Sequence, residues 1–291
     1  MIEELEDESL IAEVIMSHDS GQLVVVVEGD LDSAFVSELA LPGAAVVIAR
    51  GKRRILAELD AILRSGTPVL FLLDRDFDFE MGQAHTHRSV VYTERYNLEA
   101  TLLLDRAIFD RLWELNLRPN HRVVVSPADG AAICEQIATM IGKVRFVSVS
   151  SGIGLNLDEF PIRNIIDLKQ APRDVKTSED SVILHSLTRS GKSRWLLRRR
   201  KIKEDGYLER AHLHIRRELR RSCSPGVNYV SGHDAARILN LLLQMIRRTG
   251  VPSASELEWQ ALHEAKNTPN NSLAVELRNR ASERGFAVLA G

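Results

Sequence analysis

Two short apolar runs, each ending in acid, constrain this chain more than any other feature. Leu23 to Gly29 reads LVVVVEG, and Leu70 to Asp78 reads LFLLDRDFD. Neither run alternates apolar with polar residues, so each predicts a strand covered on both faces, as in a parallel sheet flanked by helices. Acids at the carboxyl ends of such strands stand where open α/β sheets carry their chemistry. Glu28, Asp74 and Asp76 are therefore expected to converge in one carboxylate pocket, the candidate active site.

The intervening sequence supplies the frame. After Glu28-Gly29-Asp30, the stretch SAFVSELA carries Phe35, Val36 and Leu39 on one helical face, with Asp32 or Ser33 placed to cap it. Pro42-Gly43 breaks the chain, and Ala44–Ala49 (AAVVIA) reads as a second buried strand. A helix over Lys52–Arg64 follows, its Ile55, Leu59 and Ile62 at helical spacing, and Gly66-Thr67-Pro68 stops it before a strand at Val69–Leu73. Strands alternating with helices predict an α/β, doubly wound, mainly parallel sheet with helices on its faces. Beyond the acids the sequence predicts a strand at Val90–Thr93, one long helix from about Leu98 to Asn116, a helix over Asp129–Ile141 and a strand at Val144–Val149. This gives an α/β catalytic domain over 1–150 and a turn-rich connector over 151–177. A mostly helical domain over 178–291 follows, with helices near 179–188, 191–203, 207–222, 233–249, 253–266 and 272–284.

Charge is unevenly spread. The whole chain of 291 residues carries −2, yet Arg189 to Arg221 holds thirteen bases against four acids, a local +9. A cationic surface beside an acidic pocket suits a phosphate-backbone polymer, because basic side chains displace its counterions. A solvated helix face, or one that docks an acidic partner, is the plainer reading of a charge run alone. Two cysteines, Cys134 and Cys223, form neither a disulfide framework nor a zinc pattern. The acidic start MIEELEDES has no secretory signature, and no apolar stretch approaches 18 residues. A cytoplasmic protein with no membrane span is expected.

Magnesium takes hard oxygen ligands, commonly one or two carboxylates together with water and substrate phosphate. Asp74 and Asp76 at one strand end, with Glu28 from the neighbouring strand, offer such a set, and Glu28 is free to act as ligand or as general acid/base. His85 and His87 flank the acids on a loop, where an imidazole reaches a metal or phosphate or is merely solvated; the solvated reading is preferred. Ser190-Gly191-Lys192-Ser193 lacks the earlier glycine and the preceding strand of a phosphate loop and is set aside.

The run VVVVEGDLDSAFV, the Gly-Lys helix RGKRRILAEL and the run VLFLLDRDFD together resemble a Toprim domain, whose signature is Glu-Gly after the first strand and Asp-x-Asp after the third. YTERYNLEATLL, with Glu99, and VNYVSGHDAARIL near Val227–Leu239 are similar to elements of the Toprim effectors of anti-phage defence, in particular those of PARIS systems. The resemblance is strong over Leu23–Leu104 and weaker over Tyr229–Leu239. It implies a Mg²⁺- or Mn²⁺-dependent nuclease with Glu28, Asp74 and Asp76 catalytic, and with Asp78 and Glu99 added to those three as metal ligands. It also implies a toxic effector acting on RNA, with tRNA as a target and DNA as the alternative. Such an effector is held by an ABC-type ATPase partner and acts as a homodimer once released. Lys52, Arg75, Arg194, Arg198, Arg199, Arg200, Lys201, Arg216 and Arg217 are the expected nucleic-acid contacts. A non-catalytic module that binds nucleic acid or a partner through Arg189–Arg221 is the competing expectation.

Overall fold

A computed structural model describes residues 9–18, 21–117, 125–153, 155, 157, 162–164, 182–183, 207–224, 227–247, 250–268 and 271–286. The expected helices over 191–203 and most of 179–188 lie outside the described residues, as does most of the expected connector.

The apolar runs become the strands of one sheet. β1 (Val24–Val27), β2 (Ala45–Ile48), β3 (Val69–Leu73) and β4 (Val90–Tyr92) lie in the order β2-β1-β3-β4, and every pair is parallel. All residues of β1 and β3 are buried, so both faces of the sheet are covered. Helix α1 (Leu10–His18) and helix α3 (Lys52–Arg64) cover one face. Leu10, Val14, Ile55, Leu59 and Ile62 form a core there with Val24, Val26, Phe71 and Leu73. Val25, Val27, Leu70 and Leu72 point the other way because strand side chains alternate. Between β1 and β2 runs helix α2 (Asp30–Phe35), which continues as a π-helical turn over Val36–Ala40.

The order of the strands positions the site. From β1 the chain steps outward to β2, returns through α3, and lays β3 on the opposite side of β1. This reversal is a topological switch point, where the loops leaving two adjacent strands diverge and open a crevice at their carboxyl ends. In register, Val26 stands beside Phe71. Glu28, two residues after Val26, and Asp74, three after Phe71, leave the strand ends at that crevice.

After β4 come helix α4 (Leu98–Leu103) and helix α5 (Arg106–Asn116), where the sequence predicts one helix. Asp105 separates them: it takes an extended conformation, and its carboxylate accepts the N–H groups of Ala107 and Ile108. A second correction concerns Val144–Val149, read from sequence as a strand. These residues are the last turns of helix α6 (Pro127–Ser150). Ile137, Ile141, Val144 and Val147 are buried at helical spacing, and Gly142 within it is a packing contact. Among the described residues the further α-helices are α7 (Tyr207–Ser222), α8 (Gly232–Arg247), α9 (Ala254–Ala265) and α10 (Ser272–Ser282).

The chain groups into two compact units, one formed by Met1–Thr101 with Leu262–Gly291 and the other by Leu102–Ala261. Within the first, α10 packs on the π-helical turn, and the Arg278 guanidinium donates to the Leu39 and Ala40 carbonyls at 2.7 and 3.0 Å. Within the second, α6 packs against α5, α7 and α8. Asp234 at the start of α8 is buried there and pairs with Arg145 at 2.6 Å. No described helix is long and apolar enough to cross a membrane.

Candidate active site

The site is assembled from four chain segments, those that follow β1, β2, β3 and β4. Glu28 closes β1, and its Oε1 accepts the Asp74 N–H at 2.9 Å, tying the ends of adjacent strands together. Four residues on, Asp32 turns back over the first turn of α2 and accepts the Gly29 N–H at 3.0 Å. Asp74 Oδ1 accepts the Leu98 N–H at the start of α4 at 3.1 Å. Glu99, the next residue on α4, faces Asp32 and Asp74 closely enough to raise both their pKa values. Glu28, Asp32, Asp74 and Glu99 thus form one acid cluster.

Lys52, the first residue of α3, organises the loop after β3. Its ammonium donates to the Asp74 carbonyl at 2.7 Å and to Asp76 Oδ2 at 2.9 Å, and it pairs with Asp78 Oδ2 at 2.7 Å. The Tyr92 ring lies 5.7 Å beneath it, within cation–π range. Asp76 sits at φ +46°, left-handed backbone that aspartate tolerates better than most residues. Its N–H donates to the Tyr96 carbonyl at 2.7 Å, which holds this conformation in place.

Burial is the largest influence on the acids. It pushes Glu28 up to about 7, against the Asp74 N–H and Lys52, which act to lower it. Burial, then Glu99 and Glu28, push Asp32 up to about 7. Asp74 is held well above the ordinary carboxylate range by burial and then by Asp32, Glu28 and Glu99. Lys52 is raised: its contacts with Asp78 and Asp76 outweigh burial, the largest single influence, which acts to lower it. Carboxylates that repel one another in a half-buried crevice are short of positive charge.

No protein-family model matches this chain, and a search of curated proteins finds no match.

The donor set fits a hard divalent cation, since every candidate ligand is a carboxylate oxygen and Lys52, which acts on Glu28, is shared with Asp76 and Asp78. Among the described residues, no three of these side chains already converge as ligands on one point. Of the acids expected from sequence, Glu28, Asp74 and Glu99 come together, while Asp76 and Asp78 turn to Lys52. Arg75 pairs with Glu80 at 3.0 Å and stacks over Phe79 at 4.3 Å. Arg216 and Arg217 are exposed on α7, whereas Arg194, Arg198, Arg199, Arg200 and Lys201 lie outside the described residues.

Asp32 was legible from sequence only as a cap, although its spacing from Glu28 carries the signal. In EGDLD, a helix that starts just after the strand brings the second aspartate back over the strand end. Beside the cluster opens a cleft of about 810 Å³, lined in part by Glu28, Gly29, Asp30, Arg50, Ser17 and Met16. Arg50, at the end of β2, is exposed and sits at φ +58°.

Proposed function

We propose that this protein is a Toprim-type, Mg²⁺- or Mn²⁺-dependent phosphodiesterase that cleaves RNA, a toxic effector of anti-phage defence held in check by an ABC-type ATPase partner. One observation carries the nuclease reading: Glu28 and Asp74 leave adjacent parallel strands at the switch point and are joined by a 2.9 Å hydrogen bond, with Asp32 and Glu99 closing the acid cluster around them. The family, the RNA substrate, the partner and the effector role rest on the resemblance of the strand-end motifs. The local +9 over Arg189–Arg221 supports a polyanionic substrate.

Asp74, with Asp32 and Glu99, would hold the cation. When bound, the cation supplies positive charge against the phosphodiester oxygens, where negative charge builds in the transition state. The chain does the rest. Glu28, at about 7, holds or releases a proton near neutral pH and serves as the general acid/base toward the attacking or leaving oxygen. Lys52 fixes the Asp74–Asp78 loop and offsets part of the charge of Asp76, which still adds to the repulsion on Asp74. Arg50, on the rim of the 810 Å³ cleft, meets a backbone phosphate of the bound strand.

The test is incubation of total cellular RNA and of plasmid DNA with purified protein and Mg²⁺ or Mn²⁺, beside Glu28→Ala. Cation-dependent cutting of RNA, absent in the variant, is the expected result. Cutting of DNA alone would move the substrate. Cutting that survives in Glu28→Ala would overturn the site. A non-catalytic module is the second reading, and the observation on its side is Lys52, which already pairs with Asp76 of the motif and with Asp78 beyond it.

A further inference from the structure

A second polar concavity lies at the opposite end of the sheet. It has a volume of about 400 Å³ and opens at the amino ends of β3 and β4, with walls from the end of α3, the residues before β4 and the turn after α10. Five residues of strand separate its Val69 end from Leu73 at the acid end. At about 3.3 Å per residue the two places are more than about 13 Å apart.

The chemistry here is the reverse of the acid cluster. Arg88 and Arg284 both line the concavity. Arg284 is half-buried, and its guanidinium donates to the hydroxyl of buried Ser89. Its pKa is lowered by burial first and then by Arg88, with Glu283 acting to raise it, so the two guanidiniums repel each other within one concavity. Arg88 makes no ion pair among the described residues. Glu283 also lines the concavity, but its carboxylate lies 3.7 Å from Arg280, which takes Glu276 at 2.7 Å as well. His87 Nδ1 accepts the Ser89 N–H at 3.2 Å, so its hydrogen is on the other ring nitrogen, available to a ligand.

The end of α3 does not account for this positive charge. The partial negative charge of a helix C-terminus attracts cations. Here, however, the Ser65 N–H already bonds the Ala61 and Ile62 carbonyls, and the Ser65 hydroxyl bonds Ile62 again. Two like charges lining one concavity, one of them half-buried, favour an anion between them, and the planar fork of arginine matches a phosphoryl group. The volume exceeds that of a single phosphate and falls in the range of small-ligand pockets. Leu63 and Pro68 offer apolar wall to the remainder of such a ligand.

We propose that Arg88 and Arg284, with His87 and Ser89, form a binding site for a small phosphorylated ligand, separate from the acid cluster. The site does not depend on the nuclease reading. It gives a role to His87, for which sequence alone favoured simple solvation.

The test is isothermal titration of the full chain, stripped of divalent cations, at constant ionic strength. The probes are inorganic phosphate, pyrophosphate and adenosine 5′-monophosphate, each titrated into wild type, Arg88→Gln, Arg284→Lys and, as a control, Arg106→Gln on the exposed side of α5. Arg88 is exposed, so its replacement leaves the fold intact. Saturable binding weakened at least tenfold by Arg88→Gln, weakened less by Arg284→Lys and unchanged by Arg106→Gln is the expected result. Adenosine monophosphate binding at least tenfold tighter than phosphate identifies a nucleotide, and equal binding identifies the phosphoryl group alone; both uphold the site. Binding that is absent, that survives Arg88→Gln, or that falls equally in Arg106→Gln would overturn it. So would binding of an oligonucleotide with none of the three small probes.

Discussion

At the residue scale, Glu28 and Asp32 hold their protons far above the usual carboxylate range, and this has a thermodynamic consequence. Glu28 moves from 4.5 to about 7, with Lys52, Asp76 and Asp32 as the charged groups around it. Between those values the folded chain binds a proton that the unfolded chain has released. Stability therefore falls as pH rises through that window and stays lowered above it. For Glu28 alone the loss is on the order of 3 kcal/mol above neutral pH. In chelator, wild type is expected to lose melting temperature from pH 5 to pH 8, and Glu28→Gln to lose distinctly less. Mg²⁺ restores wild type more at pH 8 than at pH 5, because the ligands must be deprotonated to bind it. Thermal unfolding across this range checks the account; a wild-type stability that rises from pH 5 to pH 8 in chelator would contradict it.

At the scale of elements, helix α6 shows why one glycine resists change. A Cβ on Gly142 would stand 1.8 Å from the Tyr229 carbonyl oxygen, a backbone atom that cannot yield as a side-chain tip does. Gly142→Ala is expected to cost at least about 3 kcal/mol, at or beyond the upper end of ordinary overpacking, read as a lowered urea midpoint. A midpoint shift equal to that of an exposed alanine substitution would mean the contact is not made. The same helix shows where sequence reading reached its limit. Lys143 to Ser150, KVRFVSVS, is rich in β-branched residues, and such residues favour strands wherever packing does not decide. Here packing decides, because burial at helical spacing continues from Ile133 to Val147. The break at Asp105 was hidden for a related reason: an acid within an apolar-periodic stretch looks like a solvent-facing residue until its carboxylate is seen capping the next helix. By contrast, β1, β3 and α3 were legible almost to the residue, since uninterrupted apolar runs and a Gly-Thr-Pro stop leave few alternatives. The pairing of Glu28 with Asp74 was legible from those runs, but the recruitment of Asp32 and the hold of Lys52 on Asp76 and Asp78 depend on tertiary placement.

At the scale of the whole molecule, a net charge of −2 conceals two opposed regions, the acids at the strand ends and the bases of Arg189–Arg221. An effector that cuts a polyanion needs both: cations to draw the backbone in, and a carboxylate cluster to hold the cation that acts on it. Arg216 and Arg217 are exposed on α7. Arg216→Gln with Arg217→Gln is expected to flatten the dependence of log affinity on log salt by about 1.4, taking about 0.7 per single-strand phosphate contact. Filter binding to a single-stranded RNA from 50 to 300 mM salt measures this, and an unchanged slope would assign those arginines elsewhere. The central claim is the cation site at the switch point, and calorimetric titration of Mn²⁺ into chelator-stripped wild type and Asp74→Asn tests it most directly. The account predicts a saturable site in wild type and binding at least tenfold weaker in Asp74→Asn, with the circular dichroism of the two proteins unchanged. Equal Mn²⁺ uptake by both would contradict it.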